Sequence, residues 1–575
     1  MTSTKLPVRY EDPGYQKAHQ EVFQGSLTRP LKEVLPPGVS QAEFKLAVEE
    51  FLGALGPDGV LTGDAMSDYI DPYELYEDND VDRKVPSAAV LPRSVEELQS
   101  ILKVANKHTI PLWTFSRGKN LGYGGPAPRV SGSVAVDLHR MNKIIEVNEK
   151  FSYATVEPGV TFTDLYDYCV EHKLSVWPSV PSLGWGSVVG NTLDRGTGFT
   201  PTATHHQNIS GLEVVLADGD LVRTGQFGIS NSQAAHLSKF SFGPSIEGLF
   251  LQSNLGIVTK MGIWLYPQPP AYASCTIDLP DLEDVEQLVD TFNELRQNGV
   301  VPNTFYVSSL TEFVAMKGTR EKAWSGPGPI PLWRLRELQK ELDVGFWNGK
   351  FGLYGPQEVV EGHVQAIKRL AAERLPKSRF RSHIFNGIDG QPLKAEDVPP
   401  EEGGFFVGIP SLFSLPMIKF RLPESGGGIA GHIDYSPIIP SSGRAVLEWV
   451  KLSQKICEDN GFDLFCDFFM HERHIIFVNF MTFDKANLNH RVSMKKIFSG
   501  LFREAKSRGY SAYRAHVNFM DTVADFYDFN NHAYRRFVEQ LKDSLDPKSI
   551  LSPGKQGIWG RRFRRTSTPH IRGHL

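Results

Sequence analysis

The chain has 575 residues, with 61 Lys and Arg against 66 Asp and Glu and a formal net charge of -5 at pH 7. That length exceeds one ordinary hydrophobic core, so two or more domains are expected. The small charge argues against nucleic acid as the main partner. No uninterrupted apolar run is long enough to span a bilayer, and the one dense basic run, Arg561-Arg-Phe-Arg-Arg565, reads as a solvated end.

Cys169, Cys275, Cys457 and Cys466 are scattered, with no CxxC pair or zinc-like spacing. They are expected to be reduced thiols in an intracellular, cytoplasmic protein. Met1-Thr-Ser-Thr-Lys-Leu-Pro7 lacks the apolar core of a signal peptide. Gly573-His-Leu575 is only weakly similar to a Ser-Lys-Leu peroxisomal signal, which leaves a peroxisomal location as the alternative.

In chain order, residues 1–40 are Pro-rich and weakly patterned, hence an expected surface arm. Gln41 to Leu55 has helical apolar spacing (Phe44, Ala47, Val48, Phe51, Leu52). Ala88 to Leu112 reads as strand, helix, strand, with Ser94 as N-cap and Glu97 three residues on. Short strands follow at Val134–Asp137, Ile144–Val147, Ala154–Val156, Leu212–Leu216 and Leu221–Thr224, with a turn at Ala217-Asp-Gly-Asp220. Beyond Tyr272 the style changes. Strands are expected at Ser274–Leu279, Gly431–Pro437 and Ile475–Phe483, and helices at Leu282–Gln297, Val359–Leu375 and Gly443–Asn460. The chain then returns to turn-rich sequence ending in Ser552-Pro-Gly-Lys555. The expected class is α+β: an arm (1–40), a nucleotide-binding domain (41–272), a substrate or cap domain (273–509) and a C-terminal segment (510–575) that completes the first domain.

One loop carries most of the chemistry. Ser116-Arg-Gly-Lys-Asn-Leu-Gly-Tyr-Gly-Gly125 follows an apolar strand and holds four glycines, a basic pair and a tyrosine at its tip. Successive backbone N–H groups in such a loop form a nest for anionic oxygens. Glycine tolerates the positive φ that this needs. A pyrophosphate cradle, and so a nucleotide cofactor, is the reading. No Gly-Lys-Ser/Thr follows at Walker A spacing, and Ala127 stands where a Rossmann fingerprint needs its third glycine. An NAD-dependent dehydrogenase is therefore disfavoured.

Asn120 to Val134, Val156-Glu-Pro-Gly159, Gly190-Asn-Thr-Leu-Asp-Arg-Gly196, Ser253-Asn-Leu-Gly-Ile-Val-Thr-Lys260 and Ala512-Tyr-Arg-Ala-His516 together resemble the vanillyl-alcohol oxidase and 4-cresol dehydrogenase family, over about residues 29–560. The resemblance implies a PCMH-type FAD-binding fold with a cap domain, dimeric or larger. It implies that Gly118, Lys119, Asn120, Gly122 and Gly124 cradle the pyrophosphate, with Gly190, Asn191 and Ile257 in further cofactor-contacting segments. It places His432 where vanillyl-alcohol oxidase bonds a histidine to the flavin 8α-methyl. Tyr123, Tyr513 and Arg514 match the trio that binds a phenol as phenolate. Lowering a phenol pKa from about 10 to about 7 takes roughly 4 kcal/mol. Hydrogen bonds to a charged group contribute about 1.5–3 kcal/mol each, so two or three donors suffice.

Two positions depart from the family. Ile70 occupies the segment that carries a helper histidine for flavin attachment, and Ser182 stands where vanillyl-alcohol oxidase has an aspartate near flavin N5. If Gly431 to Ser436 is a strand, Asp434 shares a face with His432, which makes it a candidate replacement acid–base group. His205 and His206 have no partner carboxylate at a usable metal-ligand spacing, and His471 and His474, three apart with Glu472 between, give only a weak metal signal; both pairs read as polar lining or surface, and no metal is required. The expected function is FAD-dependent oxidation of a small phenolic substrate, a 4-alkylphenol or 4-hydroxybenzyl alcohol, with dioxygen as acceptor. The alternatives are a dehydrogenase with a redox-protein acceptor and a flavin-loaded protein of little activity.

Overall fold

The computed structural model describes residues 31–75 and 84–564. Most of the expected arm, the end of the basic tail and the C-terminal tripeptide lie outside the described residues.

Ser40 caps the helix Gln41–Leu55, its Oγ accepting from Glu43 N at 3.3 Å, and the helical period buries Ala47, Phe51 and Leu55. The Val95–His108 helix packs against it, and Ser94 Oγ accepts from Glu97 N at 3.3 Å. The Glu97 carboxylate, however, accepts from Arg93 N at 2.7 Å, so the return bond of the expected box is displaced by one residue. Both helices share a core with a four-stranded sheet in the order Val60–Leu61, Ala88–Val90, Val134–Asp137, Leu112–Phe115. Its last two pairings are parallel. A second, antiparallel sheet runs Ile144–Asn148, Tyr153–Val156, Ile257–Trp264, Ile209–Val215, Leu221–Arg223. The expected turn between its last two strands is present, with Gly219 at φ +92°.

An eight-stranded antiparallel sheet follows. Its main path is Arg379–Asn386, Ala271–Leu279, Trp347–Gly355, Phe305–Ser309, Cys466–Met470, His474–Asp484, Ala430–Tyr435. The short strand Ile438–Pro440 also pairs with His474–Asp484. Helices Val285–Gln297, Gln357–Arg374, Gly443–Glu458 and Leu488–Ser507 bury their apolar sides on it around Phe305, Trp347, Phe351 and Trp449, each fully buried. The first of these helices starts later than its sequence pattern, because Leu282–Asp284 forms a separate 3-10 turn.

The chain's last part returns to the first sheet. Leu112 N donates to Ile550 O at 2.7 Å and Ser552 N donates to Leu112 O at 2.8 Å. Ala430–Tyr435 lies at the end of the large sheet's path, and its next residues meet the 511–513 segment: Tyr513 N donates to Ser436 O and Ile438 N to Ser511 O. Thus the glycine loop, the edge strand and the late segment converge. All four cysteines are buried and unbridged, as expected. Among the described residues no helix is long and apolar enough to cross a membrane.

Candidate active site

A long cavity lies between the two sheet systems. One end is walled by Ser116–Leu121, Ser187, Val189, Gly190, Asn191, Ser253, Asn254, Ile257 and Ser552, the other by His432, Asp434, Phe465, Asp467, Phe469, Tyr513 and Arg514. Gly118, Lys119, Asn120, Gly190, Asn191, Ile257 and Ser182, all expected at the cofactor or substrate, are on its wall. Gly122 and Gly124 are not. Their φ angles are +80° and +106°. A Cβ on Gly122 would lie 2.9 Å from Asp434 Oδ2 and 3.0 Å from His432 Nε2, and one on Gly124 2.6 Å from Val517. These two glycines make room for other protein segments at the back of the loop. The tyrosine between them is correspondingly buried rather than exposed at a tip.

The edge strand delivers two side chains to one face, as the two-residue period requires. His432 Nδ1–H donates to Met481 O at 3.1 Å, which leaves Nε2 facing Asp434 Oδ2 at 3.4 Å. Burial opposes the imidazolium, but the Asp434 charge and hydrogen bond outweigh it, and the His432 pKa rises. Behind them Asp71 accepts from His516 Nε2 at 2.7 Å. That buried pair stands one residue beyond Ile70. The Asp71 carboxyl is held below its usual range because the His516 hydrogen bond and charge exceed the burial penalty.

Tyr123, Tyr513 and Arg514 meet as expected. The two rings stand perpendicular with centroids 6.4 Å apart, and the guanidinium lies 5.6 and 5.1 Å from them. Arg514 is anchored from behind, Nε donating to Asp194 O at 2.7 Å and Nη2 to Asn191 O at 3.3 Å. Tyr123 OH lies 3.2 Å from Ser436 Oγ. Burial, then the charge of its neighbours, pushes the Tyr123 pKa well above its usual value, and burial raises that of Tyr513. Both therefore remain neutral O–H donors at physiological pH. Burial works against the Arg514 charge, but Tyr513, Asp194, Tyr123 and Asp434 more than offset it.

The cap contributes groups that the sequence pattern did not single out. Asp467, in the buried strand Cys466–Met470, lines the cavity with Oδ1 unpartnered, as Asp434 Oδ1 is. Tyr306 OH donates to Glu312 Oε2 at 2.5 Å. Burial, then Glu312 and Asp434, pushes the Asp467 pKa well up, and burial raises Glu312 to about 7. Three like charges cannot be kept together in low dielectric, so at least one carboxyl here is protonated at neutral pH. A single Asp amid Leu464-Phe-Cys-Asp-Phe-Phe-Met470 was the available signal, since a charge in an otherwise apolar strand needs a reason.

The far end of the cavity fits a dinucleotide's pyrophosphate. Gly190 lies close against Ser116, whose Oγ would be 2.2 Å from a Cβ there and would have to turn away. Of the buried polar atoms there without protein partners, the Thr114 hydroxyl can donate to a phosphate oxygen, whereas Asn120 Oδ1 and Asn254 Oδ1 are acceptors and suit the hydroxyl or N–H groups of a nucleotide rather than its phosphates. Burial, reinforced by Arg117, lowers the Lys119 pKa to about 7, the behaviour of a cation arranged for an anion. His205, weighed as a ligand, instead bridges Asn191 Oδ1 (2.8 Å) and Ser179 Oγ (3.0 Å), and no metal-binding cluster exists among the described residues.

Comparison with known proteins agrees with this anatomy. Residues 86–225 match the FAD binding domain family and residues 417–556 the C-terminal domain of FAD linked oxidases. The 4-cresol dehydrogenase [hydroxylating] flavoprotein subunit of Pseudomonas putida is 35% identical over 529 residues, covering 91% of this chain and 98% of that protein. Two solved structures superpose closely. 4-Ethylphenol oxidase from Gulosibacter chungangensis, as its isoeugenol complex, has a TM-score of 0.85, 36% identity and coverage of 92% and 100%. P-cresol methylhydroxylase with substrate bound has a TM-score of 0.83, 34% identity and coverage of 92% and 99%. The glycine cradle, the two-domain α+β architecture and these full-length likenesses lead to one assignment: the chain belongs to the vanillyl-alcohol oxidase and 4-cresol dehydrogenase family of FAD-linked oxidoreductases.

Proposed function

We propose that this enzyme oxidises para-substituted phenols, namely 4-alkylphenols or 4-hydroxybenzyl alcohols, with dioxygen as acceptor and peroxide as co-product. The observation that carries the reading is the grouping of buried Tyr123 with half-buried Tyr513 and Arg514 at one end of the cavity: two neutral hydroxyls and one anchored guanidinium, the guanidinium 5.6 and 5.1 Å from the two rings. Such a set prefers an anionic oxygen to a neutral one, so a phenol bound there gives up its proton. The chemistry that FAD supplies when bound is acceptance of a hydride from the para benzylic carbon. The phenolate pushes electrons through the ring as that hydride leaves, and the substrate becomes a quinone methide that adds water or loses a proton.

Asp434 and Asp467, whose free oxygens line the same cavity, handle that proton. Asp434 beside His432 accepts the proton given up by the added water or by the quinone methide, while Asp467, held in its neutral form by burial and by Glu312, can return one to the product's phenolate oxygen. Ser182 has no acid–base range near pH 7 and positions water instead. His432 is the proposed covalent attachment point for FAD, supported by the orientation of its ring: Nδ1–H is tied to Met481 O, which turns Nε2 toward Asp434, the carboxylate that would take its proton before the bond forms.

Turnover of 4-ethylphenol and 4-hydroxybenzyl alcohol with peroxide detection tests the reading. Peroxide in step with product supports it. Product formed only when an artificial electron acceptor is added would favour the dehydrogenase reading, which the likeness to a 4-cresol dehydrogenase keeps open. No oxidation of either phenol by FAD-loaded protein would refute both. Yellow colour retained in the acid-precipitated pellet, and lost with His432→Ala, is expected for the covalent bond.

A further inference from the structure

A second chamber, of about 290 Å³, lies away from the phenol site, between the loop 201–208 with Lys239 on one side and Arg296, Asn303, Thr304 and Glu472 of the cap on the other. It is polar where the active cavity is largely aromatic. Arg296 is 5% exposed and uses Nη1 on Val301 O and Nη2 on Glu472 Oε1, at 2.5 and 2.7 Å. Its Nε–H has no protein partner, and neither has the hydroxyl of Thr304, a residue 1% exposed. Leaving a buried donor unsatisfied costs about 1–3 kcal/mol, so two such donors on one chamber wall call for an acceptor inside it.

The charge balance says which acceptor. Lys239 Nζ donates to the neutral carbonyl of Gln207 at 2.6 Å and lies 5.5 Å from the Trp264 ring, with no carboxylate partner among the described residues. Glu472, the one acid on the wall, is already paired with Arg296, and its side chain is 47% exposed. Nearby, burial and then the surrounding positive charges lower the His206 and His471 pKa values, and burial lowers that of His474 against the charge of Glu472. The chamber thus presents an excess positive charge and two idle N–H and O–H donors.

We propose that it binds a small oxyanion, a carboxylate or a phosphate, held by Arg296 Nε, Thr304 Oγ1 and the Lys239 ammonium. At about 30 Å³ per water the chamber holds the equivalent of roughly ten waters, which is room for such an ion together with its remaining hydration shell. Bound there, the anion joins Lys239 on the FAD side to Arg296 on the cap side. It also abuts the wall shared with the active cavity. Phe199 lines that cavity, and its carbonyl accepts from Asn303 Nδ2 at 2.7 Å.

The test uses FAD-loaded wild-type enzyme, titrated with inorganic phosphate and separately with acetate at constant ionic strength in chloride, reading thermal unfolding and titration heat. Saturable binding of either ion is expected, and which one binds more tightly identifies the source class. Lys239→Gln and, independently, the near-isosteric Thr304→Val are expected to weaken it at least tenfold while 4-ethylphenol still reduces the flavin. The proposal is overturned if neither ion saturates, as for a chamber filled by water only, or if both variants bind as wild type does.

Discussion

Replacing Tyr513 by Phe removes one hydroxyl from the oxygen-binding group and little else, since its backbone N–H and C=O remain tied to Ser436 O and Gln252 Nε2. Tyr513 is a neutral donor because burial raises its pKa. Its O–H to a phenolate is a hydrogen bond to a charged group, contributing about 1.5–3 kcal/mol. At 1.36 kcal/mol per unit, the pKa of the bound phenol should rise by about 1–2 units. Two readouts follow. Ultraviolet difference spectra of a bound, non-oxidisable phenol such as 4-fluorophenol should show the phenolate band appearing at correspondingly higher pH. The rate of flavin reduction by 4-ethylphenol should fall about 10- to 100-fold near neutrality, yet climb toward the wild-type plateau as pH is raised. A rate loss that is constant with pH, with the ligand's titration unmoved, would refute phenolate stabilisation by this hydroxyl.

Lys119, with its pKa lowered to about 7, should regain its proton beside a pyrophosphate, so FAD binding takes up a proton above pH 7. In a His432→Ala background, calorimetry in buffers of different ionisation heat should show affinity falling as pH rises past 7, with Lys119→Arg flattening the profile. The sign for the cofactor-free protein is opposite. The depressed lysine penalises the folded state below pH 7, and stability recovers between about 7 and the unfolded lysine value of 10.5. At the C-terminal seam, Lys542 Nζ donates to Asn254 O and Leu551 O and pairs with fully buried Asp546 at 2.8 Å. Lys542→Met leaves that buried carboxylate without its cation, held only by the N–H groups of Ile550 and Leu551, and should cost about 3–5 kcal/mol in denaturant unfolding; a loss under about 1 kcal/mol would contradict the pairing.

The sequence was most legible where one period or one loop decided the outcome. The helix Gln41–Leu55 has the expected bounds, and the alternation in Gly431–Ser436 correctly set Asp434 beside His432. Tyr123, Tyr513 and Arg514 come together as the family likeness implied. Less was legible where distant strands meet. Asp467 and Glu312 couple only because Phe305–Ser309 pairs with Cys466–Met470, a register that no local pattern encodes. Gly122 and Gly124 illustrate a different limit: a glycine admits a ligand or another chain segment equally well, and here His432, Asp434 and Val517 occupy the space. The Asp71–His516 pair was hidden for the same reason, its partners being contributed by opposite ends of the chain.

The most direct test is anaerobic stopped-flow mixing of the FAD-loaded enzyme with 4-ethylphenol and, in parallel, with its methyl ether, 4-ethylanisole, which cannot form a phenolate. Rapid bleaching of the flavin band by the phenol and none by the ether is the predicted result. Equal bleaching by both, or none by a panel of 4-alkylphenols and 4-hydroxybenzyl alcohols, would contradict hydride transfer driven by a phenolate at Tyr123, Tyr513 and Arg514.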